Sequence, residues 1–144
     1  PRAVKVAGEG FYQAPVWSPD SRKIAYFDNS QAVYWLDVAS GVSKKVAAQP
    51  IYGPVVIISY AWSPDSKWLA YAMDNQSMIT TVYVHSIDQG KSFQVSDGLS
   101  DVSYPVFDKS GKYLFFFGST DAGPVNVEPL MRDSHESALP MPST

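Results

Sequence analysis

Residues 17–26 read WSPDSRKIAY, residues 62–71 read WSPDSKWLAY, and residues 107–116 read FDKSGKYLFF. The aromatic residue that opens each copy is Trp17, Trp62 or Phe107, and consecutive copies lie 45 positions apart. A self-similar period in the forties is typical of repeat architectures, in which each unit buries its apolar faces by stacking on a neighbour. The chain is therefore expected to contain three copies of one structural unit.

Strands are predicted within each repeat, because apolar residues alternate with a period of two and β-branched and aromatic side chains dominate. The clearest runs are VVIISYAW at 55–62, KWLAYAM at 67–73 and ITTVYVHSI at 79–87. Polar runs follow at 43–48 (SKKVAA) and 91–96 (KSFQVS), and their lysines suit an exposed edge strand. Each repeat thus predicts four antiparallel strands, with apolar inner strands and a polar outer one.

The Ser-Pro-Asp-Ser segment between the first two strands predicts a tight turn. Pro19 and Pro64 fix φ at the value that a type I turn needs, and the carboxylates of Asp20 and Asp65 can accept hydrogen bonds from the turn's own amides. In the third copy, residues 109–111 take the corresponding place. We therefore interpret Asp20 and Asp65 as turn-capping residues and not as a catalytic carboxylate pair.

This repeat resembles that of the WD-repeat-like β-propellers of TolB, of prolyl oligopeptidase relatives and of the tricorn protease, in which a similar turn joins a blade's first two strands. Residues 113–125 (YLFFFGSTDAGPV) also resemble a segment of bacterial tricorn protease homologues. The resemblance covers residues 1 to about 118. It implies a propeller segment that is noncatalytic in itself and scaffolds or gates peptide access, while the nucleophile, base and oxyanion donors of a serine peptidase lie in other domains.

The predicted fold is all-β, a partial β-propeller of about three blades, with four antiparallel strands to a complete blade. Its predicted bounds are residues 1–118 for the partial propeller, made of blade one at 12–47, blade two at 55–96 and an incomplete blade three at 102–118. Residues 119–144 have several prolines and no period of two, and this predicts a poorly structured tail or insertion.

Residues 1–7 (PRAVKVA) resemble the fourth strands and precede the first turn, so they are expected to belong to a preceding blade. A closed propeller needs about four to eight blades, and therefore two blade faces should be open. Either the chain is a segment of a longer propeller protein, or two copies join head to tail into a closed ring. The chain begins at Pro1 without an initiator Met, which fits a processed product or a piece of something longer.

Composition excludes several classes of protein and partner. The chain has 144 residues, 45% of them hydrophobic and 17% charged, as expected of a globular domain. A net charge of −3 leaves no basic surface for nucleic acid, and no apolar run is long enough to predict a membrane span. The absence of cysteine excludes disulfides and thiolate sites, but leaves cytoplasm and periplasm both open for this soluble, prokaryotic-like chain.

No catalytic or metal site is predicted. The two histidines, His85 and His135, are 50 positions apart, and the sequence has no G-x-S-x-G elbow and no H-E-x-x-H motif. A Ser-His-Asp relay needs three groups within hydrogen-bonding reach, and nothing in the local sequence indicates one. We expect no cofactor, no metal and no catalytic residue.

Two sets of residues are candidates for binding. Asp28-Asn29 and Asp74-Asn75 recur in the loop after the second strand, either as Asx turns or as a polar mouth. Trp35 does not recur with the repeat, so it is a candidate stacking surface at the rim. By contrast, the recurring aromatic residues are predicted to pack between blades: Trp17, Trp62 and Phe107.

The expected partner is a peptide or a protein, because propeller ligands meet loops that a rigid scaffold positions. One hypothesis is the peptide-gating segment of a tricorn-like serine protease. The alternative is a TolB-like protein-interaction module that self-associates through its open blade faces into a closed ring.

Overall fold

The computed structural model describes residues 1–50, 58–118, 125–128 and 131. Its strands form three sheets that follow one another along the chain. Blade one consists of β1 (Gln13–Trp17), β2 (Lys23–Phe27), β3 (Ala32–Asp37) and β4 (Ser43–Ala48). Blade two consists of β5 (Ser59–Trp62), β6 (Trp68–Asp74), β7 (Thr80–Ser86) and β8 (Lys91–Gln94). Blade three consists of β9 (Val102–Phe107), β10 (Tyr113–Gly118) and β11 (Val125–Asn126).

Every sheet is a meander in which consecutive strands pair antiparallel, in the order β1-β2-β3-β4, β5-β6-β7-β8 and β9-β10-β11. The register repeats with the sequence, since Trp17 pairs with Ile24 in blade one and Trp62 pairs with Leu69 in blade two. The predicted fold class, an all-β partial propeller with four-stranded antiparallel blades, is confirmed.

A serine and an aspartate shape the turn between the first two strands of each complete blade. Ser63 Oγ donates a hydrogen bond to Asp65 Oδ1 at 2.6 Å and accepts one from Trp68 N at 3.0 Å. Ser18 and Asp20 repeat the pair in blade one at 2.5 Å. Asp20 Oδ1 and Asp65 Oδ1 also accept hydrogen bonds from Arg22 N and Lys67 N, each at 3.0 Å, so both aspartates cap their own turns.

In blade three a single aspartate, Asp108, accepts the hydrogen bonds that a serine and an aspartate share in the other two blades. Asp108 stands at the position of Ser18 and Ser63, and its carboxylate accepts hydrogen bonds from Ser110 N at 3.1 Å and Tyr113 N at 3.0 Å. The degenerate third copy of the motif therefore keeps the turn although it has neither the proline nor the serine.

Two apolar clusters hold the blades together. The cluster between blades one and two includes Trp35, Trp62, Leu69, Tyr71 and Met73. The cluster between blades two and three includes Trp68, Val82, Val84, Phe107 and Leu114. Burial of apolar area at about 25 cal/mol per Å² makes these two seams the main stabilising elements of the fold. Trp62 and Phe107 therefore lie between blades.

Trp17 was predicted to pack between blades in the same way, but its residue surface is 54% exposed. The physical reason is its position on the outer face of blade one, away from blade two. No second blade covers that face within the described part of the chain. The residues around Trp17 and Trp62 are nearly the same in sequence. Their environments differ because no described blade packs against the face that carries Trp17.

Residues 1–7 form no strand, although the sequence resembles an outer strand. The segment crosses the outer face of blade one, where Val4 and Val6 pack against Tyr26 and Tyr34. The Tyr26 hydroxyl donates a hydrogen bond to Ala7 O at 3.0 Å. The segment therefore lies where the outer strand of a preceding blade would lie, without a strand to pair with.

Strand β11 falls within the range predicted to be a tail. It pairs with β10 through Tyr113 opposite Asn126 and Leu114 opposite Val125. Beyond it, Met131 N donates a hydrogen bond to Val127 O at 3.1 Å, which is the spacing of one helical turn. The other residues of the predicted tail, 119–124, 129–130 and 132–144, lie outside the described residues, as do 55–57 at the predicted start of blade two.

The outer face of blade three is rich in exposed aromatic side chains. Phe117 is 74% exposed and Phe115 is 47% exposed. Tyr104, Val106 and Tyr113 are also more than a third exposed on strands β9 and β10. Five exposed large apolar residues on two adjacent strands form a patch of the kind that marks an interaction surface.

Candidate functional site

The stack of blades has two edges at which loops of successive blades meet. The SPD edge carries the Ser-Pro-Asp turns, residues 18–20 and 63–65, and the equivalent turn of blade three. The Asx edge carries the loops between the second and third strands, residues 28–31 and 75–79. The predicted binding residues are divided between the Asx edge and the interior of the fold.

Asp28 is fully buried, and both oxygens of its carboxylate accept hydrogen bonds from the protein. Oδ1 accepts from Ser30 N, Ser30 Oγ and Ala32 N, and Oδ2 accepts from Glu9 N at 2.8 Å. Burial by itself would raise the pKa of Asp28, but the hydrogen bonds from Glu9, Ser30 and Ala32 together lower it. Asp28 therefore organises the loop and anchors the N-terminal segment, and its complete burial keeps it from a ligand.

Asn75 plays the same part in blade two. Its Oδ1 accepts hydrogen bonds from Ser77 N at 2.8 Å and Ile79 N at 3.1 Å, the same offsets of two and four residues that Asp28 uses. Asn75 Nδ2 also donates to Gly98 O at 3.4 Å, on the segment that leads to blade three.

Asp28 is therefore the structural equivalent of Asn75. The sequence alignment of Asp28-Asn29 with Asp74-Asn75 was one residue out of register, because β6 ends at Asp74 whereas β2 ends at Phe27. Asp28 and Asn75 form the Asx turns that the sequence predicted. Only Asn29 and Asp74 are still candidates for a polar mouth.

Trp35 does not lie on a rim loop. It lies within β3, is only 6% exposed, and packs with Val33, Trp62 and Leu69 in the cluster between blades one and two. Lys44 Nζ lies 5.6 Å from the ring centroid, on the neighbouring outer strand. The ring is therefore part of the core, because the alternation of β3 turns it towards blade two.

Asn29 and Asp74 keep polar groups that face outward. Asn29 is exposed, and its main-chain N–H donates to Gly10 O at 3.4 Å. Asp74 is half-buried, and its Oδ1 accepts a hydrogen bond from Thr80 Oγ1 at 2.8 Å. Within the described residues, no hydrogen bond is made to the second oxygen of Asp74.

Asp74 and Asn75 line a cavity of about 310 Å³ between blades one and two, which we name the Asx pocket. Its other walls are Tyr71, Met73, Gln76 and Tyr83 from blade two, and the end of β4 with Pro50 from blade one. The Tyr71 and Tyr83 rings are stacked, with centroids 5.3 Å apart and planes 16° apart. Burial raises the pKa of Tyr71 to about 12, so its hydroxyl remains a hydrogen-bond donor at neutral pH.

The stacked tyrosine pair is a feature of the repeat that the sequence interpretation missed. Tyr26 and Tyr34 of blade one stack in the same way, with centroids 5.3 Å apart and planes 10° apart. The sequence signal was present, since Tyr26 and Tyr71 are 45 positions apart and both precede a third strand that contains Val-Tyr. In blade one the N-terminal segment covers the pair, and in blade two the pair lines the Asx pocket.

A second cavity, of about 480 Å³, lies at the SPD edge between blades two and three. We name it the SPD pocket. Its lining includes Pro64, Asp65, Trp68, Asp88, Gly111 and Lys112. The sequence singled out Asp65 and Pro64 only for the turn, and gave no sign that two such turns enclose a cavity.

A serine and a histidine are hydrogen-bonded in blade two. His85 Nδ1 and Ser92 Oγ are 2.9 Å apart across strands β7 and β8. Burial lowers the pKa of His85 to about 4, so the ring is neutral at pH 7 and a weak base. Within the described residues, no carboxylate is hydrogen-bonded to the ring, and a relay of the Ser-His-Asp type needs that orienting group.

Nowhere in ranges 1–50, 58–118 and 125–128 do three or more side chains of histidine, cysteine, aspartate or glutamate cluster as a metal site requires. In the same part of the chain, no helix is long and apolar enough to cross a membrane.

No protein-family model matches the chain, and no curated protein matches it in sequence. The structure is similar to the tricorn protease, with a TM-score of 0.69 and 15% sequence identity, over 81% of this chain and 12% of that one. It is also similar to TolB from Acinetobacter baumannii, with a TM-score of 0.59 and 20% identity, over 78% of this chain and 28% of that one. The chain thus spans a small part of either protein.

At these identities the likeness is one of fold. It confirms at that level the resemblance that the Trp-Ser-Pro-Asp repeats predict. The chain has a partial β-propeller fold, and it shares this architecture with the tricorn protease and TolB.

Proposed function

We propose that the chain is a noncatalytic β-propeller segment that scaffolds a larger ring and holds a peptide at the Asx pocket, as in a tricorn-like serine protease whose catalytic site lies elsewhere. The pocket would gate or retain peptides on their way to that site. The support for this proposal is the chemistry of the pocket itself, because likeness of fold does not carry function.

The observation that carries the proposal is the pairing of an aromatic floor with a polar mouth. The half-buried ring of Tyr83, stacked on the buried ring of Tyr71, offers an apolar surface to one peptide side chain. Asp74 and Gln76 at the mouth offer an acceptor and an amide to the adjoining peptide group. A volume of about 310 Å³ is at the lower end of the range of about 300–1,000 Å³ seen for ligand pockets. It suits one residue of an extended peptide.

The noncatalytic part of the proposal is supported by the His85–Ser92 pair. A neutral imidazole with a pKa of about 4 is a poor general base at pH 7. His85 is 3% exposed, so a substrate has no access to the other face of the ring without moving the strands. His85 is therefore a buried structural histidine whose Nδ1 is hydrogen-bonded to Ser92.

Peptide titration of the ¹⁵N-labelled chain tests the proposal. The probe is a positional-scanning set of N-acetylated pentapeptide amides, and the readout is the shift of the Gln76 and Ser77 amide signals. We expect saturable shifts there, and an affinity about tenfold lower for Asp74→Asn. Asn29→Ala, on the same edge but outside the pocket, is the matched control and should bind normally. Shifts that miss these amides, or that are indifferent to Asp74→Asn, would refute the proposal.

A TolB-like interaction module that self-associates is the second candidate, and the open faces favour it. Trp17 on blade one and Phe117 on blade three are exposed at the two ends of the stack. A blade face of four strands is about 19 by 18 Å, or about 350 Å². Blade three has three described strands, and residues 1–7 cross the outer face of blade one, so one head-to-tail contact would bury at most about 700 Å² in total, which is too little for a stable dimer. A closed ring with two contacts would bury at most about 1,400 Å².

A further inference from the structure

At the SPD edge between blades one and two, a lysine ammonium joins the two turns. Lys23 Nζ lies 3.1 Å from Asp20 Oδ2 in its own blade and 3.2 Å from Ser66 O in the next. Asp20 N also donates a hydrogen bond to Ser66 Oγ at 3.0 Å. This junction is closed by one ammonium and one hydroxyl, and we call this arrangement the Lys23 staple.

The same two turns meet again between blades two and three. Ser66 and Gly111 occupy equivalent positions with similar backbone conformations, φ 60° and 74°. A Cβ on Gly111 would lie 3.5 Å from Pro64 Cδ, so the turn of blade three lies next to the turn of blade two. The framework that holds the ammonium at the first junction is therefore repeated at the second.

Both groups of the staple are missing at the second junction. Trp68 stands at the position of Lys23, and Gly111 stands at the position of Ser66. The SPD pocket, about 480 Å³ in volume, lies between the two turns. Asp65, the equivalent of Asp20, lines it together with Gly111, so the carboxylate and carbonyl that hold an ammonium at the first junction are both present.

The second junction has one cation fewer than the first, and Glu128 also lines its pocket. Arg22, Lys67 and Lys112 recur at one position of the three blades, so the flanking cations are common to both junctions. Asp37 in blade one becomes Ser86 in blade two while Ala39 becomes Asp88, so the neighbouring turn keeps one carboxylate. The loss of Lys23 is not compensated, and the second junction is more negative.

Trp68 contributes an aromatic side chain to the wall of the SPD pocket. Its ring is buried against Phe93 and lines the SPD pocket. Cations are attracted to the face of an indole ring at distances up to about 6 Å. The residue that replaced the lysine therefore removes the internal cation and provides a wall for an external one.

We propose that the SPD pocket binds a primary ammonium group, from a lysine side chain or a peptide amino terminus, between the carboxylate of Asp65 and the carbonyl oxygen of Gly111. The bound group takes the place that Lys23 Nζ holds at the first junction. This site goes beyond the proposed function, since it lies at the opposite edge from the Asx pocket and between the other pair of blades.

Two pairs of small ligands identify the chemistry. Nα-acetyl-lysine methylamide is compared with its Nε-acetylated form, and glycylglycinamide is compared with its N-acetylated form. Binding is followed at low ionic strength through the Trp68 indole N–H signal and the amide signals of Asp65 and Gly111. We expect dissociation constants on the order of 1 mM for the ligands with a free amine, and a loss of at least tenfold on acetylation. Tighter binding of Nα-acetyl-lysine methylamide would indicate a site for a lysine side chain, and tighter binding of glycylglycinamide would indicate a site for an amino terminus.

Asp65→Asn is the deciding variant, because the amide keeps an oxygen for Ser63 Oγ and Lys67 N and removes only the charge. We expect at least tenfold weaker binding of both free amines. Asp20→Asn at the stapled junction is the matched control and should leave binding unchanged. The proposal fails if acetylation has no effect, if Asp65→Asn binds normally, or if the shifts occur away from this edge. Peptides that bind only at the Asx pocket would refute this site and leave the proposed function standing.

Discussion

The indole N–H of Trp62 in blade two donates a hydrogen bond to the carbonyl oxygen of Val16 in blade one, at 3.0 Å. The bond crosses the seam between two blades, and the ring itself is 8% exposed. Trp17, one repeat earlier, presents the same side chain to an outer face without a blade. One residue type at one repeat position thus has two energetic roles.

Trp62→Ala is expected to lower the free energy of unfolding by about 3–5 kcal/mol, because it leaves a cavity at the seam and frees the carbonyl of Val16. Trp17→Ala, the matched control, should cost less than about 1 kcal/mol in the monomer because the ring is 54% exposed. Urea denaturation followed by far-UV circular dichroism measures both. Equal effects of the two substitutions would mean that the seam does not depend on Trp62.

Asn75→Ala should destabilise the chain by about 1–3 kcal/mol, because four hydrogen bonds converge on its side chain and one of them reaches the segment before blade three. Asn29→Ala, on the equivalent loop of blade one, should change stability by less than about 0.5 kcal/mol. Thermal and urea unfolding of the two variants give the comparison. A loss at Asn29 as large as that at Asn75 would contradict the one-residue correction of the alignment.

The features that the sequence predicted correctly are those that depend on residues close together in the chain and recur in each repeat. The period of 45, the alternation within the strands and the Ser-Pro-Asp turns depend on residues close in the chain, and they led to four-stranded blades. The register of the Asx loops was wrong by one because β6 extends to Asp74, and the length of a strand depends on its pairing partner. Asp28 and Asn75 are therefore the equivalent residues, each placed directly after the end of its strand.

Non-local features were beyond the same reasoning. Trp17 and Trp62 have nearly the same neighbours in sequence, and their exposures differ because only one of them faces another blade. Trp35 was judged by its failure to recur, although its alternation with Val33 already placed it on the face turned towards blade two. The SPD pocket arises from the absence of Lys23 and Ser66 equivalents, and its presence needs the packing of two blades to be known.

Stability should depend on pH through His85. Burial lowers its pKa from 6.5 to about 4 in the folded chain, so between pH 6.5 and 4 the unfolded chain binds a proton that the folded chain does not. The free energy of unfolding should therefore fall as the pH is lowered through this window, by about 2 kcal/mol once solvent screening is allowed for.

Urea titrations at pH 7.5, 5.5 and 4.5 measure the slope, and His85→Gln should remove most of it while keeping a partner for Ser92. The carboxylates of Asp20 and Asp108, with pKa values lowered to about 2, lose their contribution only at lower pH and leave this window clear. The same slope in His85→Gln would show that another group titrates there.

The solution mass of the chain separates a self-assembling module from a propeller segment completed by other blades. If two copies close a ring, light scattering should give about twice 15.8 kDa at micromolar concentration. In such a ring the indole N–H of Trp17 would meet Val106 O of the second copy, as Trp62 meets Val16. Phe117→Asp on the outer face of blade three should return the mass to that of a monomer, because it buries a charge in the contact.

Leu99→Asp is the control for that substitution, since Leu99 is 79% exposed but belongs to the loop between β8 and β9 and to neither open face. It should leave the dimer intact. A monomer at every concentration would indicate that other blades, and not a second copy, cover the faces of blades one and three. Peptide binding would then have to be measured in the complete propeller. A mass that grows with concentration beyond a dimer would indicate open head-to-tail chains, in which the rotation from copy to copy does not close.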